Sequence, residues 1–174
     1  TSLTDKGDPL GREGFSIYIF DRVSGQLLTR IPRQVNVIQA LAYSHDGELL
    51  AVALGGKGGI RIFRRDGTLL ASDKEYETSI FGLDFDESLR LVTSSRDGYI
   101  RLYQASSNGL EMLSRVSLKD GAEPDQVRFS PDSKFLIVGF NDVPKVTVLE
   151  SQRLIVLRHL SAGAERGNLR VVAW

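Results

Sequence analysis

The 174 residues include no cysteine, two histidines, one methionine and one tryptophan. Without cysteine there are no disulfides, no thiolate metal sites and no cysteine nucleophiles. His45 sits in a turn sequence and His159 follows an outer strand pattern; neither has a carboxylate or hydroxyl partner at a recognisable spacing. Two isolated imidazoles do not make a metal site without further ligands. Net charge is missing too, since 22 Lys plus Arg stand against 22 Asp plus Glu. No global field therefore draws in nucleic acid or an anionic membrane. No apolar run approaches the ~18 residues of a membrane span, and no signal-peptide pattern is visible. The composition leads us to expect a folded cytoplasmic protein with no catalytic, cofactor-binding or metal-binding residues, and with neither nucleic acid nor membrane as partner.

What the chain does have is repetition. Three openings align without gaps: Leu41-Ala42-Tyr43-Ser44-His45-Asp46-Gly47-Glu48-Leu49-Leu50, the ten residues from Leu83 to Val92, and the ten from Val127 to Leu136. Their aromatic anchors, Tyr43, Phe85 and Phe129, are 42 and 44 residues apart, and Trp174 falls 45 further on. A second element repeats independently: Ile17-Tyr18-Ile19-Phe20, Ile60-Arg61-Ile62-Phe63, Ile100-Arg101-Leu102-Tyr103 and Val146-Thr147-Val148-Leu149, in steps of 43, 40 and 46. Periods of about 40 to 45 residues built from short strands indicate the four-stranded blades of a β-propeller.

Each repeat reads as four strands. Ile38–Tyr43 and Gln126–Phe129 alternate loosely between apolar and polar, as a first strand should. The dense aliphatic runs Leu49–Leu54, Leu89–Ser94 and Phe135–Phe140 suit a second strand covered on both faces. The quartets form the third strand, with period 2 placing alternate residues on opposite faces. Outer strands are expected at Gln26–Arg30, Thr68–Ser72, Met112–Leu118 and Leu154–Leu157, opened by turns such as Ser24-Gly25, Asp66-Gly67 and Asn108-Gly109.

Segments such as Ser94-Ser95-Arg96-Asp97-Gly98-Tyr99-Ile100-Arg101-Leu102-Tyr103 and Phe129-Ser130-Pro131-Asp132 resemble the WD-repeat propellers, over essentially the whole chain from Phe15 onward. The name-giving Trp-Asp pair survives only as Phe20-Asp21; its counterparts are Phe63-Arg64, Tyr103-Gln104 and Leu149-Glu150. The family's Gly-His dipeptide is absent, so its His-Ser/Thr-Asp-Trp hydrogen-bond tetrad cannot be assembled. Asp97 is expected to be an ordinary turn residue before Gly98, and the blades to be held by aliphatic packing more than by polar networks.

The expected organisation is all-β: a partial blade at 1–36, blades at 37–79, 80–123 and 124–168, and the first strand of a further blade at 169–174. Thr1-Ser2 reads as the tail of a second strand, followed by a long turn through Gly7-Asp8-Pro9-Leu10-Gly11. That is about half of a seven- or eight-bladed ring. Two uncovered blade faces exposing ~400 Å² each would cost on the order of 10 kcal/mol per face. Cover is therefore expected, from the remainder of a parent propeller, a second copy closing the ring, or another subunit.

Other motifs have plain readings. Gly55-Gly56-Lys57-Gly58-Gly59 lies between two strands and lacks the helix that would receive a phosphate, so it reads as a hairpin turn lengthened by two residues. Asp5, Asp8, Asp84 and Asp86 do not follow the alternating acidic loop of a calcium site. Arg61 and Arg101 take equivalent outward places and read as solvated or inter-blade arginines whose stems cover apolar surface. Arg30, Arg33, Arg64 and Arg65 lie near strand ends, beside acids that cancel much of their charge.

The expected function is a non-catalytic scaffold that displays loops to protein or peptide partners, the stacked sheets limiting the ordering entropy lost on binding. The family frame puts the loops before each first strand, and the turns between second and third strands, near one ring face. Asn36, Thr78 and Arg96 are the candidate binding residues there. Two alternatives are weighed. The stretch Phe129–Val138 is also similar to bacterial lactonase-type propellers, although no carboxylate and histidine cluster is present to carry hydrolysis. The segment could also be a sensor propeller fused to a catalytic or signalling domain outside it.

Overall fold

A computed structural model of the chain describes residues 14–118, 121–161, 163 and 167–174. The expected strand tail at Thr1-Ser2, the turn at Gly7–Gly11, and Asp5 and Asp8 lie outside the described residues. Fourteen strands form four antiparallel sheets, and there is no α-helix among the described residues. The first sheet pairs β1 (Phe15–Phe20) with β2 (Leu27–Gln34). The second runs β3 (Ile38–Tyr43), β4 (Leu49–Leu54), β5 (Ile60–Arg64), β6 (Leu69–Asp73). The third runs β7 (Ile80–Phe85), β8 (Arg90–Ser95), β9 (Tyr99–Ser106), β10 (Gly109–Ser117). The fourth runs β11 (Pro124–Phe129), β12 (Phe135–Phe140), β13 (Lys145–Glu150), β14 (Ile155–Ser161). Strands neighbouring in sequence neighbour in space, as in propeller blades.

Alternation on the third strands builds the stack. Ile60 and Ile62 of β5 join the core shared with the third sheet, whereas Phe63 turns back into the core shared with the first. One sheet later Ile100 and Leu102 face forward and Tyr103 faces back. β4 is buried along all six residues because sheets cover both of its faces. β12 is buried less completely, with Phe135 exposed and Ile137 half-buried, because no full sheet covers its far face among the described residues.

Two departures from the sequence reading concern register. The turn of the third sheet is one residue shorter than the gapless alignment implies, since the pairs are Tyr43 with Leu50, Phe85 with Leu91 and Phe129 with Leu136. Asp86 closes it by accepting the Ser88 and Arg90 amides at 2.9 and 2.8 Å, with Leu89 left-handed at φ 61°. Residues 169–174, expected as a strand, make one bridge between Leu169 and Phe140 rather than a ladder, because no second strand lies beside them among the described residues. They nevertheless follow the inner edge of the fourth sheet. Phe140 N–H donates to Leu169 O at 2.9 Å, and Trp174 Nε1–H to Arg128 O at 3.3 Å.

Three of the outer strands run longer than expected while β6 keeps its length, and His159 lies within β14, its Nδ1 2.9 Å from Thr147 Oγ1. The glycine cluster is the lengthened hairpin, with one 3-10 turn at Gly56–Gly58.

Candidate functional site

The connections before each first strand and the turns between second and third strands gather at one end of the stack, and hydrogen bonds join them across sheets. Gly56 N–H donates to Ser79 Oγ at 2.8 Å, and Arg96 N–H to Ser79 O at 3.2 Å. Lys57 pairs with Glu77 at 3.1 Å, an exposed contact worth little by itself. Further along, the Arg96 guanidinium lies 4.1 Å from the Phe81 ring centre and pairs with Asp125 at 3.4 Å and Glu123 at 3.5 Å. Asp125, nearly buried, also pairs with Arg170 at 3.1 Å. Glu123 N–H donates to Asp142 at 2.8 Å, which carries the band into the fourth sheet.

Asn36, Thr78 and Arg96 all lie on this band. Asn36 is half-buried, caps its own turn by accepting the Val37 amide at 2.8 Å, and stands beside Gly55 and Gly56. The Thr78 carbonyl accepts from Ser95 Oγ at 3.4 Å. The Arg96 side chain is anchored between Phe81 and two carboxylates, so it reaches solvent as one edge of a fixed cluster.

Beneath the band lies a polar network that sequence reasoning missed. Asp97 is not a bland turn residue, and Arg101 is the inter-blade rather than the solvated arginine of the two readings: their side chains are 2% and 3% exposed and meet at 2.8 Å. The Arg101 guanidinium also donates to Glu75 O at 3.0 Å and stacks 4.1 Å from the Tyr76 ring centre. Burial works against that charge, but Asp97 more than offsets it, and the Arg101 pKa lies above its ordinary value. Tyr76 OH meets Thr93 Oγ1 at 2.9 Å and Tyr103 OH at 2.8 Å, and Tyr103 OH donates to Asp73 at 2.9 Å. Burial pushes both phenols up from their ordinary pKa. Between the second and third sheets, polar contacts therefore share the work with aliphatic packing. The one available signal was Tyr76, an aromatic residue alone in the polar connector 73–78.

At the same inter-blade register the neighbouring sheets are plainer. Among the described residues the half-buried Arg61 side chain donates to Gln34 at 3.1 Å and to no other. Thr147 meets His159.

The opposite end carries a cavity of about 240 Å³ lined by His45, Asp84, Glu87, Arg128, Phe129 and Trp174 among others. Asp84 lies on β7, accepts the Phe129 amide at 2.8 Å, and has its pKa raised by burial. Asp86 is sealed against Arg90 at 2.6 Å. No group of three or more metal-ligating side chains occurs among the described residues. No helix among them is long and apolar enough to cross a membrane.

Comparisons with known proteins follow the same lines. Residues 67–104, from the turn before β6 to β9, match the family model of the WD domain, G-beta repeat. No curated protein matches the sequence. In the crystal structure of a mitotic checkpoint complex, one chain resembles this one with a TM-score of 0.77 at 18% identity, over 91% of this chain and 47% of that chain. This chain thus spans about half the length of that relative. As 1099 solved chains match, the fold is common and does not by itself specify a cargo. The chain thus carries one recognised WD repeat, at 67–104, within a β-propeller fold whose neighbouring sheets are also antiparallel and built from consecutive strands.

Proposed function

We infer that the chain is a non-catalytic scaffold that holds protein or peptide partners on the loop face bearing Asn36, Thr78 and Arg96. The observation that carries this reading is the hydrogen-bonded band from Gly56 through Ser79 and Arg96 to Asp125 and Asp142. Loops fixed in this way lose little entropy when a partner arrives. The relative from the mitotic checkpoint complex, solved as part of an assembly, agrees with a role in protein association.

The proposal includes cover for the two apolar faces, by further blades of a parent chain or by a second copy. On the second sheet, Leu41 and Tyr43 are 50% and 47% exposed. On the fourth, Phe135, Val148, Leu157 and Trp174 line an apolar cavity.

Site-specific photo-crosslinking in living cells tests the loop face. A photoreactive residue at 36, 78 or 96 should trap one common protein, whereas residues 48 and 108 at the opposite end should not. The same protein trapped equally from both ends, or none trapped from 36, 78 and 96, would overturn the assignment.

A further inference from the structure

The geometry points to Arg101 as a positioning residue for the loop face: a buried clamp, out of any partner's reach, that sets where the loops of the second and third sheets stand. The inference rests on the scaffold reading only for its functional meaning, because the mechanical link is read from the contacts themselves. One guanidinium grips two segments at once. Its two terminal nitrogens bond both Asp97 oxygens, at 3.2 and 2.8 Å, which fixes the turn 95–98. One of them also reaches Glu75 O at 3.0 Å, while the guanidinium plane rests on Tyr76, which fixes the connector 74–79. A planar fork can serve a carboxylate and a carbonyl simultaneously in a way a point charge cannot.

The connector transmits that position outward. Ser79, three residues beyond Tyr76, receives the Gly56 amide through its hydroxyl and the Arg96 amide through its carbonyl. Gly56 belongs to the second sheet's loop and Arg96 to the third's, so one buried group sets the spacing between two loops on different blades. The fourth sheet's loops have backbone ties of their own, Glu123 N–H to Asp142 at 2.8 Å and Asn141 N–H to Glu123 O at 2.9 Å, and meet Arg96 through its side chain, not its amide. Arg61, with its single bond to Gln34, provides no comparable grip one blade earlier.

The separation supplies an internal control for hydrogen exchange resolved to single amides on the full chain, which needs no partner. Arg101→Lys keeps the charge but loses the fork. Exchange at the Gly56 and Arg96 amides should accelerate about tenfold or more, the size expected for losing a hydrogen bond to a charged group. The Glu123 and Asn141 amides should stay within about threefold of the parent. A uniform acceleration at all four amides would show general loosening and overturn the clamp, as would no change at Gly56 and Arg96.

Tyr76→Phe provides the second arm, removing the hydroxyl bonds while leaving the stacked ring. It should disturb Gly56 and Arg96 less than Arg101→Lys. An equal or larger effect would assign the positioning to the hydroxyl network instead. Crosslinking fails or succeeds independently of these rates, so a failed scaffold reading and a failed clamp are distinguishable.

Discussion

Asp97 and Arg101, four residues apart across the turn into β9, form an ion pair that is almost fully withdrawn from water. Removing one member leaves the other buried without its counter-charge, a loss of about 3–5 kcal/mol. Asp97→Ala should therefore be severely destabilising in urea unfolding. The double variant Asp97→Ala, Arg101→Met should recover much of the loss, since apolar replacement of a whole buried pair is tolerated. Losses that simply add would contradict the pair as the source of the effect.

Burial holds Tyr76 and Tyr103 in their neutral form above the pH where a free phenol ionises, about 10. In the unfolded chain both ionise near that value, so above it the folded state retains more protons than the unfolded one. Stability contributed by these phenols is present in full below pH ~10 and falls as pH rises further. Urea midpoints from pH 8 to 11 should drop at the alkaline end, and Tyr103→Phe should flatten the drop. That variant should also cost about 1–3 kcal/mol at neutral pH, because Asp73 loses a donor. All five tyrosines of the folded protein ionising together near pH ~10, followed by absorbance at 295 nm, would contradict the burial.

A methyl group on Gly82 would overlap Ser94 Oγ and approach Val127 N at 2.7 Å and Asp125 O at 2.9 Å. The last two atoms are backbone of the next sheet and cannot swing aside. Gly82→Ala should cost at least about 1–3 kcal/mol. Gly25→Ala has open space but a φ of +70°, and should cost less, about 1 kcal/mol. Thermal melting of the two variants checks the order; equal losses would disprove the close approach.

The half-exposed Leu41 and Tyr43, with the cavity bounded by Phe135, Leu157 and Trp174, leave apolar surface in need of cover. The 174-residue chain alone should therefore exceed its 19.2 kDa monomer mass in light scattering. Leu157→Asp should reduce that association. A stable, cooperatively unfolding monomer would remove the case for covered faces.

The frame was legible because burial on both faces forces aliphatic runs at fixed spacing. Leu49–Leu54 and Phe135–Phe140 stand where those runs place them, and Ile38–Tyr43 where its looser alternation does. The shorter third-sheet turn was hidden because Asp86 tightens it through side-chain bonds that leave composition unchanged. The Arg101 clamp was hidden for another reason: an arginine at an alternating position reads as outward until the next sheet is laid against it. Asn36, Thr78 and Arg96 could be placed at one end by strand order, but their links through Ser79 and Asp125 join blades and have no periodic signature.

At one register of the second strands the side chain is always small: Ala53 opposite Ile60, Ser94 opposite Ile100, Gly139 opposite Val146. Ser94 Oγ donates to Asp125 O, and Gly139 faces the backbone of Leu169 and Arg170. At this register the small side chains of Ser94 and Gly139 let the backbone of the chain that follows come close. Longer side chains at Ser94 or Gly139 would press on that backbone and hold successive layers further apart.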